Sequence, residues 1–256
     1  MEYTLRIAQQ YQEKINRLRP LTGSRLQNVK DYYRISLTFT SNALEGNTLS
    51  ESETKVILED GLTVGGHPLR EIYEATGHSR AYDYMWSLVH SNTITQRDIL
   101  ELHRLFYEHI QSERAGVYRT EDVIITGSAY GVTEWRDIPK EMTALCDWIV
   151  SERLKLHPIV FAAELHRRFI YIHPFIDGNG RTARLLLNTA LIQDGYEIVT
   201  IPPILRSDYI ASLERGHKNA DVFHGFIIDR EVEAQKDMMR LFHIPLKDGA
   251  EQAPGT

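Results

Sequence analysis

The sequence predicts an all-α chain with one short β excursion, and three observations carry that expectation. Apolar residues recur at three- and four-residue spacing almost throughout. Capping residues precede these runs and glycines follow them. One segment, 117–136, breaks the helical period, setting valines and isoleucines between turn residues.

From the N-terminus, Leu26, Val29, Tyr33 and Leu37 mark an amphipathic helix that Gly46 is placed to stop, because a left-handed cap suits glycine. Ser50 and Glu53 have the spacing of a capping box, in which side chain and backbone satisfy each other's free groups. Gly61 ends that run. The stretch GLTVGGHP, 61–68, reads either as a boundary between an N-terminal helical segment (1–65) and a main body (66–245) or as a tight turn between helices. Thr95 and Asp98 form a similar box before Ile99, Leu102, Leu105 and Phe106. Val117-Tyr118-Arg119 and Val123-Ile124-Ile125, followed by Thr126-Gly127-Ser128 and Gly131, predict a β-hairpin flap over 117–136. Glu134-Trp135-Arg136 follows as a solvated turn or a partner contact. A helix bearing Ala162, Leu165, Phe169 and Ile172 should end at His173, because Pro174 disfavours helical backbone before it. Ala183, Leu186, Leu187 and Ala190 define the next helix, stopped by Gly195, and Ser207 precedes a later one. The tail 246–256 is small and polar and is expected to fray.

Bulk properties narrow the functional class. The 256 residues suit one large domain, or one domain with a helical extension. A net charge of -6 gives no general attraction to nucleic acid or anionic membrane. No apolar run is long enough to cross a bilayer, and the start lacks the basic flank and apolar core of a secretion signal. Cys146 alone excludes an internal disulfide framework and, within LCDWI, reads as a buried structural thiol. A soluble cytoplasmic protein is expected.

Chemistry is concentrated in residues 173–184, HPFIDGNGRTAR. Gly178-Asn179-Gly180 allows backbone angles that turn successive N–H groups inward as an anion nest. The helix that starts there adds unpaired N–H donors and the positive end of its dipole. Arg181 and Arg184, three apart, can reach one polyanion, and guanidinium forks match phosphate oxygens. Asp177 at the mouth is a lone carboxylate of the kind Mg²⁺ takes beside phosphates. His173 is suited to accept a proton near neutral pH.

These residues resemble the signature of Fic domains, His-x-Phe-x-Asp/Glu-Gly-Asn-Gly-Arg-x-x-Arg, with every specified position present. GVYRTEDVIITGS (116–128) is similar to the flap hairpin of that family, and AELHRRFIYI (163–172) to the helix before the signature. The resemblance implies a Fic-fold helical bundle with a small β-hairpin flap, and a protein adenylyltransferase that uses ATP. His173 would deprotonate a Ser, Thr or Tyr hydroxyl of a target protein, which attacks the α-phosphate. Asp177 would hold Mg²⁺. Gly178, Asn179 and Gly180 would cradle the phosphates, with Arg181 and Arg184 on the β and γ groups. Thr126, Gly127 and Ser128 would hold the target segment by strand addition and border the nucleotide. Doc-like relatives replace the second glycine with lysine and phosphorylate instead, so Gly180 points to AMP transfer.

Ser41 and Glu45 lie four apart, on one helix face just before Gly46. SNALEG (41–46) is similar to the Fic inhibitory motif Ser/Thr-x-x-x-Glu-Gly/Asn, which implies that Glu45 pairs with Arg184 and spoils the γ-phosphate site. Self-modification would follow once that brake is released. The same Glu45 could instead direct a water to remove AMP from a modified target, and a non-catalytic nucleotide-binding regulator is a third reading. Tyr209 lines the base pocket or belongs to the core. His217 stands where relatives carry an asparagine, which leaves UMP and GMP transfer open. His166, without a third metal ligand, reads as structural. Whether a homodimer buries the N-terminal helices stays open.

Overall fold

A computed structural model describes residues 1–246; the tail expected to fray lies, apart from Leu246, outside the described residues. Among the described residues ten α-helices follow one another: α1 Glu2–Asn16, α2 Gly23–Ala43, α3 Glu51–Lys55, α4 Leu69–Ser87, α5 Gln96–Tyr107, α6 Ile138–Glu152, α7 Pro158–Ile172, α8 Asn179–Gln193, α9 Arg206–Gly216 and α10 Ala220–Leu241. The local signals act as their chemistry dictates. Both capping boxes close, Ser50 with Glu53 and Thr95 with Asp98. Gly46, Gly61 and Gly195 take positive φ just beyond helical runs. Ser207 lies inside the first turn of α9 rather than before it, because the turn Pro203–Leu205 runs straight into the helix.

Helix α8 is the axis of the molecule. Every residue from Arg181 to Ile192 is buried, and α2, α4, α5 and α7 all pack against it. A helix enclosed on all sides must satisfy its polar groups internally. Asn188 does so by donating to Arg184 O and Val199 O (both 3.0 Å) and accepting from Val199 N–H (2.7 Å), which pins the segment that follows α8. Helices α4 and α5 approach closely at Gly77, where a Cβ would lie 2.3 Å from Phe106 O. Residues of α1 and α2 such as Ala8, Ile15, Val29 and Leu37 share one buried cluster with the helices beyond 69, while Leu49, Ile57 and Ala75 form a small second one. The 61–68 stretch is thus spanned by core on both sides.

The expected β-hairpin does not form. Residues 117–134 carry no strand and run as two irregular arms about a turn, with no ladder between them. Their hydrogen-bonding capacity is taken elsewhere. Arg119 N–H donates to Pro174 O at 2.9 Å. Its guanidinium, with no side-chain surface exposed, donates to His173 O (2.9 Å), Glu121 O (2.8 Å) and Thr133 O. One side chain thereby joins both arms of the loop to the end of α7, in place of a cross-strand ladder. Gly127 (φ 87°) makes the turn at the tip. Arg119→Ala should lower unfolding stability by about 3 kcal/mol, since charged hydrogen bonds contribute roughly 1.5–3 kcal/mol each and the carbonyls would be left without a donor. It should also speed limited proteolysis within 120–132. Arg119→Lys, which cannot fork to three carbonyls, is expected to behave nearly as badly; unfolding by urea and protease mapping read both effects.

Candidate active site

The site is assembled where α7 ends and α8 begins. His173 is the C-cap of α7 in left-handed conformation (φ 52°), an unusual state for a side-chain-bearing residue. The loop after it is closed by Asn179, whose side chain accepts from Phe175 N–H (2.9 Å) and donates to Phe175 O (2.8 Å). Asn179 therefore shapes the nest with its amide and presents only backbone to a ligand. Gly178, left-handed at φ 80°, is the N-cap of α8, and the first-turn N–H groups of a helix have no intrahelical partner.

His103 of α5 holds this loop from below. Its Nδ1 accepts from Gly116 N–H at 2.9 Å, so Nε2 carries the proton and donates to Asp177 O at 3.1 Å. The ring stacks on Phe175 with centroids 3.7 Å apart. Burial lowers its pKa to about 4, which keeps that tautomer neutral. One imidazole thus couples the start of the 117–134 loop to the nest.

Arg184 is enclosed, with 2% exposure. Its Nε donates to Ser41 Oγ (2.9 Å), and Nη2 donates to Ser41 O (2.8 Å) and Glu45 Oε1 (2.7 Å). Nη1 faces Tyr209 Oη at 3.4 Å, and that hydroxyl lies 2.9 Å from His166 Nε2. Ser41 and Glu45, at the C-terminal end of α2, are the two anionic or dipolar partners the spacing placed together. Burial pushes the Glu45 carboxyl up, but Arg184 and Arg181 outweigh it and hold its pKa below the usual value. The Glu45 side chain lies directly over Gly180, where a Cβ would be 2.1 Å from Oε1.

Arg181 lies over the Phe106 ring (4.3 Å) and pairs with Glu74 (3.0 Å) and Asp177 (3.2 Å). Asp177 also accepts from Arg70 Nη2 at 2.7 Å and Tyr107 Oη at 3.3 Å.

A cavity of about 440 Å³ opens over these groups, lined among others by Glu45, Thr126, Gly127, Ser128, His173, Gly180, Arg184 and Tyr209. At one side three rings stack: His217 lies between Tyr171 (3.7 Å) and Tyr130 (3.9 Å). The loop is latched there as well, Ala129 N–H donating to Glu214 Oε2 at 3.1 Å. Burial and the neighbouring Arg119 guanidinium lower the His173 pKa to about 4, so the imidazole is neutral at pH 7. Its Nδ1 is buried, which leaves Nε2 to face the cavity.

This arrangement of a left-handed histidine, a glycine nest and an arginine-bearing helix has known counterparts. Residues 93–191 match the Fic/DOC family. The chain carries a Fic/DOC family domain. It is 40% identical over 182 residues to a protein adenylyltransferase Fic of Nematostella vectensis, covering 70% of this chain and 42% of that protein. Another, from Drosophila willistoni, is 39% identical over 189 residues, covering 73% and 38%. The chain thus spans about two fifths of the length of these curated relatives. Among solved structures, a Fic domain containing signaling protein from Bacteroides thetaiotaomicron superposes with a TM-score of 0.83 at 29% identity, covering 90% of this chain and 95% of that one. A glutamate-to-glycine form of Fic-1 from C. elegans gives 0.84 at 28% identity, covering 93% and 72%.

Most of the residues singled out from the sequence lie around one cavity, with Gly178 and Asn179 shaping the loop beneath it. Thr126, Gly127, Ser128, His173, Gly180, Arg184, Tyr209, Ser41 and Glu45 line the cavity or hold its lining, and Asp177 and Arg181 stand beside it. Tyr209 is 3% exposed and its hydroxyl lies between Arg184 and His166, so it is a core residue whose edge reaches the cavity. His166 is fully buried and structural. Cys146 is half-buried on α6, its thiol pKa raised by burial, away from the cavity lining. The sequence reading missed Arg70, Glu74, His103, Arg119 and Arg206, the last donating to Leu44 O at 2.7 Å and so fixing the end of α2 to α9.

The Glu45 carboxylate gives the domain a pH signature. Its folded pKa is depressed, so its stabilising contribution is complete above the usual 4.5 and disappears as pH falls through the lower folded value. Glu45→Gln should therefore melt below the parent at pH 6–7, with the difference closing as the pH drops under about 4.5; thermal unfolding across pH 3–7 checks it.

Proposed function

We propose that this chain transfers AMP from ATP to a Ser, Thr or Tyr hydroxyl of a protein, with Glu45 as an intramolecular brake. The observation that carries the reading is the convergence of a neutral imidazole, a helix N-terminus and an enclosed guanidinium on one cavity. The adenylyltransferase relatives favour AMP as the group moved. Gly180 in the nest favours it as well.

In this reading the phosphates lie against the N–H groups of Gly178 to Arg181 and the helix dipole. The target hydroxyl gives its proton to His173 Nε2 as its oxygen bonds to the α-phosphorus. The bond from that phosphorus to the bridging oxygen breaks, and pyrophosphate leaves. Bound phosphates would raise the His173 pKa from its low resting value toward the range useful for a base. The main chain of 123–126 takes part in no ladder, and Ile124 is 95% exposed. A target segment added there as a strand would bring its hydroxyl to the cavity rim, with Thr126, Gly127 and Ser128 beside it.

Asp177 suits a magnesium ion that arrives with the nucleotide. It is a single carboxylate, 39% exposed, and Mg²⁺ characteristically takes one or two carboxylates with phosphate oxygens and water. Among the described residues no cluster of three or more His, Cys, Asp or Glu could hold a metal by itself, so the nucleotide's own oxygens would have to complete the shell. When bound, the ion would neutralise the charge that builds on the phosphates.

Glu45 bonded to Arg184 removes the guanidinium that a γ-phosphate would need, and leaves its own charge where that phosphate would lie. Removing the carboxylate should raise transfer. Glu45→Gly is expected to increase incorporation of label from α-labelled ATP into itself and into protein targets by at least about tenfold, an effect of roughly 1.4 kcal/mol on the barrier. His173→Ala in that background should reduce it to background level. Equal faint labelling with and without Glu45 would remove the brake from the account. Since Glu45 also lines the cavity beside His173, the same assay run on a pre-modified target distinguishes a hydrolase, which would release free AMP in a Glu45-dependent manner.

A further inference from the structure

Asp177 is already engaged on all sides. Its Oδ1 accepts from Gly178 N–H at 2.6 Å and from Arg181 at 3.2 Å, and its Oδ2 from Arg70 at 2.7 Å and Tyr107 at 3.3 Å. The carboxylate has one negative charge and two guanidinium neighbours. These two are not equivalent. Arg181 is 3% exposed, stacked on Phe106 and fixed by Glu74. The Arg70 side chain is 55% exposed, and its other bond is Nε to Glu74 Oε1 at 3.2 Å. Arg70 can therefore swing into solvent while Arg181 cannot.

Oδ2 is the oxygen free of the nest backbone, and so the one open to a metal. A guanidinium at 2.7 Å on that atom and a hydrated dication at about 2.1 Å cannot share it. Burying a second cation beside the first would also be repulsive. Resting on the assignment of Asp177 to the metal-nucleotide under the proposed function, we propose that Arg70 is a resident counter-cation of Asp177, which a divalent ion must displace before nucleotide binds productively. Its remaining anchor is placed to register that displacement. Glu74 Oε1 takes Arg70 and Arg181, while Glu74 Oε2 takes Asn47 Nδ2 at 3.0 Å, two residues beyond Glu45. These groups line a separate polar cavity of about 310 Å³, which shares Glu45 with the larger one. Arg70 thus acts on the metal through Asp177 and is a positioning residue.

The test is the Mg²⁺ dependence of ADP binding to the full chain, measured by calorimetry, in the parent, Arg70→Ala and Arg70→Lys, with melting curves to show that each is folded. Arg70→Ala should lower the half-saturating Mg²⁺ about tenfold, the order expected for removing one charge a few ångströms from a dication in a solvated site. ADP binding in EDTA should be unchanged, and Arg70→Lys should restore the parental Mg²⁺ requirement. An unaltered Mg²⁺ dependence in Arg70→Ala overturns the inference. Weaker ADP binding by Arg70→Ala both with Mg²⁺ and in EDTA overturns it too, by making Arg70 a phosphate ligand. A parent that takes up ADP under neither condition removes the phosphate-nest reading and this inference together.

Discussion

A guanidinium sealed inside a protein has to be met by acceptors, because an unpaired buried charge is among the most destabilising things a fold can contain. Arg184 imposes that constraint here. Its partners come from distant parts of the chain, Ser41 from α2, Glu45 from the turn just after it and Tyr209 from α9. The position of α2 against α8 follows from it, and so does that of α9, which Arg206 ties to Leu44. The residue best placed to bind an anion is thus also the one that organises the apo fold. A phosphate reaching Arg184 would compete with an internal carboxylate for a site that the fold already satisfies.

The neighbouring groups repeat that theme with different chemistry. Asn179 uses its side chain to close the nest loop, His103 holds the loop from beneath with a fixed tautomer, and Arg119 holds it from above through His173 O. Preorganised donors are worth most where they need not move during reaction. Around residues 173–184 the exposed elements lie at the periphery: the Arg70 side chain and the tip near Ile124. The groups of the nest itself are buried or hydrogen-bonded within the fold.

Much of this was legible in the sequence, because the nest is local. His173, Asp177, the glycines and both arginines lie within twelve consecutive positions, and Pro174 announces the helix end. The pairing of Ser41 and Glu45 with Arg184 was legible through their four-residue spacing only in company with that motif. Groups that reach the site from afar left no such trace. Arg70 lies on an exposed helix face 107 positions from Asp177, and His103 sits inside the apolar run of α5, where a histidine reads as core. The hairpin expectation failed for a related reason. Valine and isoleucine content argued for strands, but the side chain of Arg119 answers the loop carbonyls before a ladder can. Propensity describes a segment's backbone preference, and here a guanidinium within the segment takes carbonyls from both of its arms.

The closeness of Glu45 to Gly180 has a further meaning for how such a site can change. A β-carbon at position 180 would lie 2.1 Å from Glu45 Oε1, so any side chain there obliges the flexible carboxylate to shift from its place against Arg184. A change of residue in the nest at this position would therefore be felt first at the Glu45–Arg184 contact. The nest and the ion pair above it are thus coupled by the width of one missing methyl group.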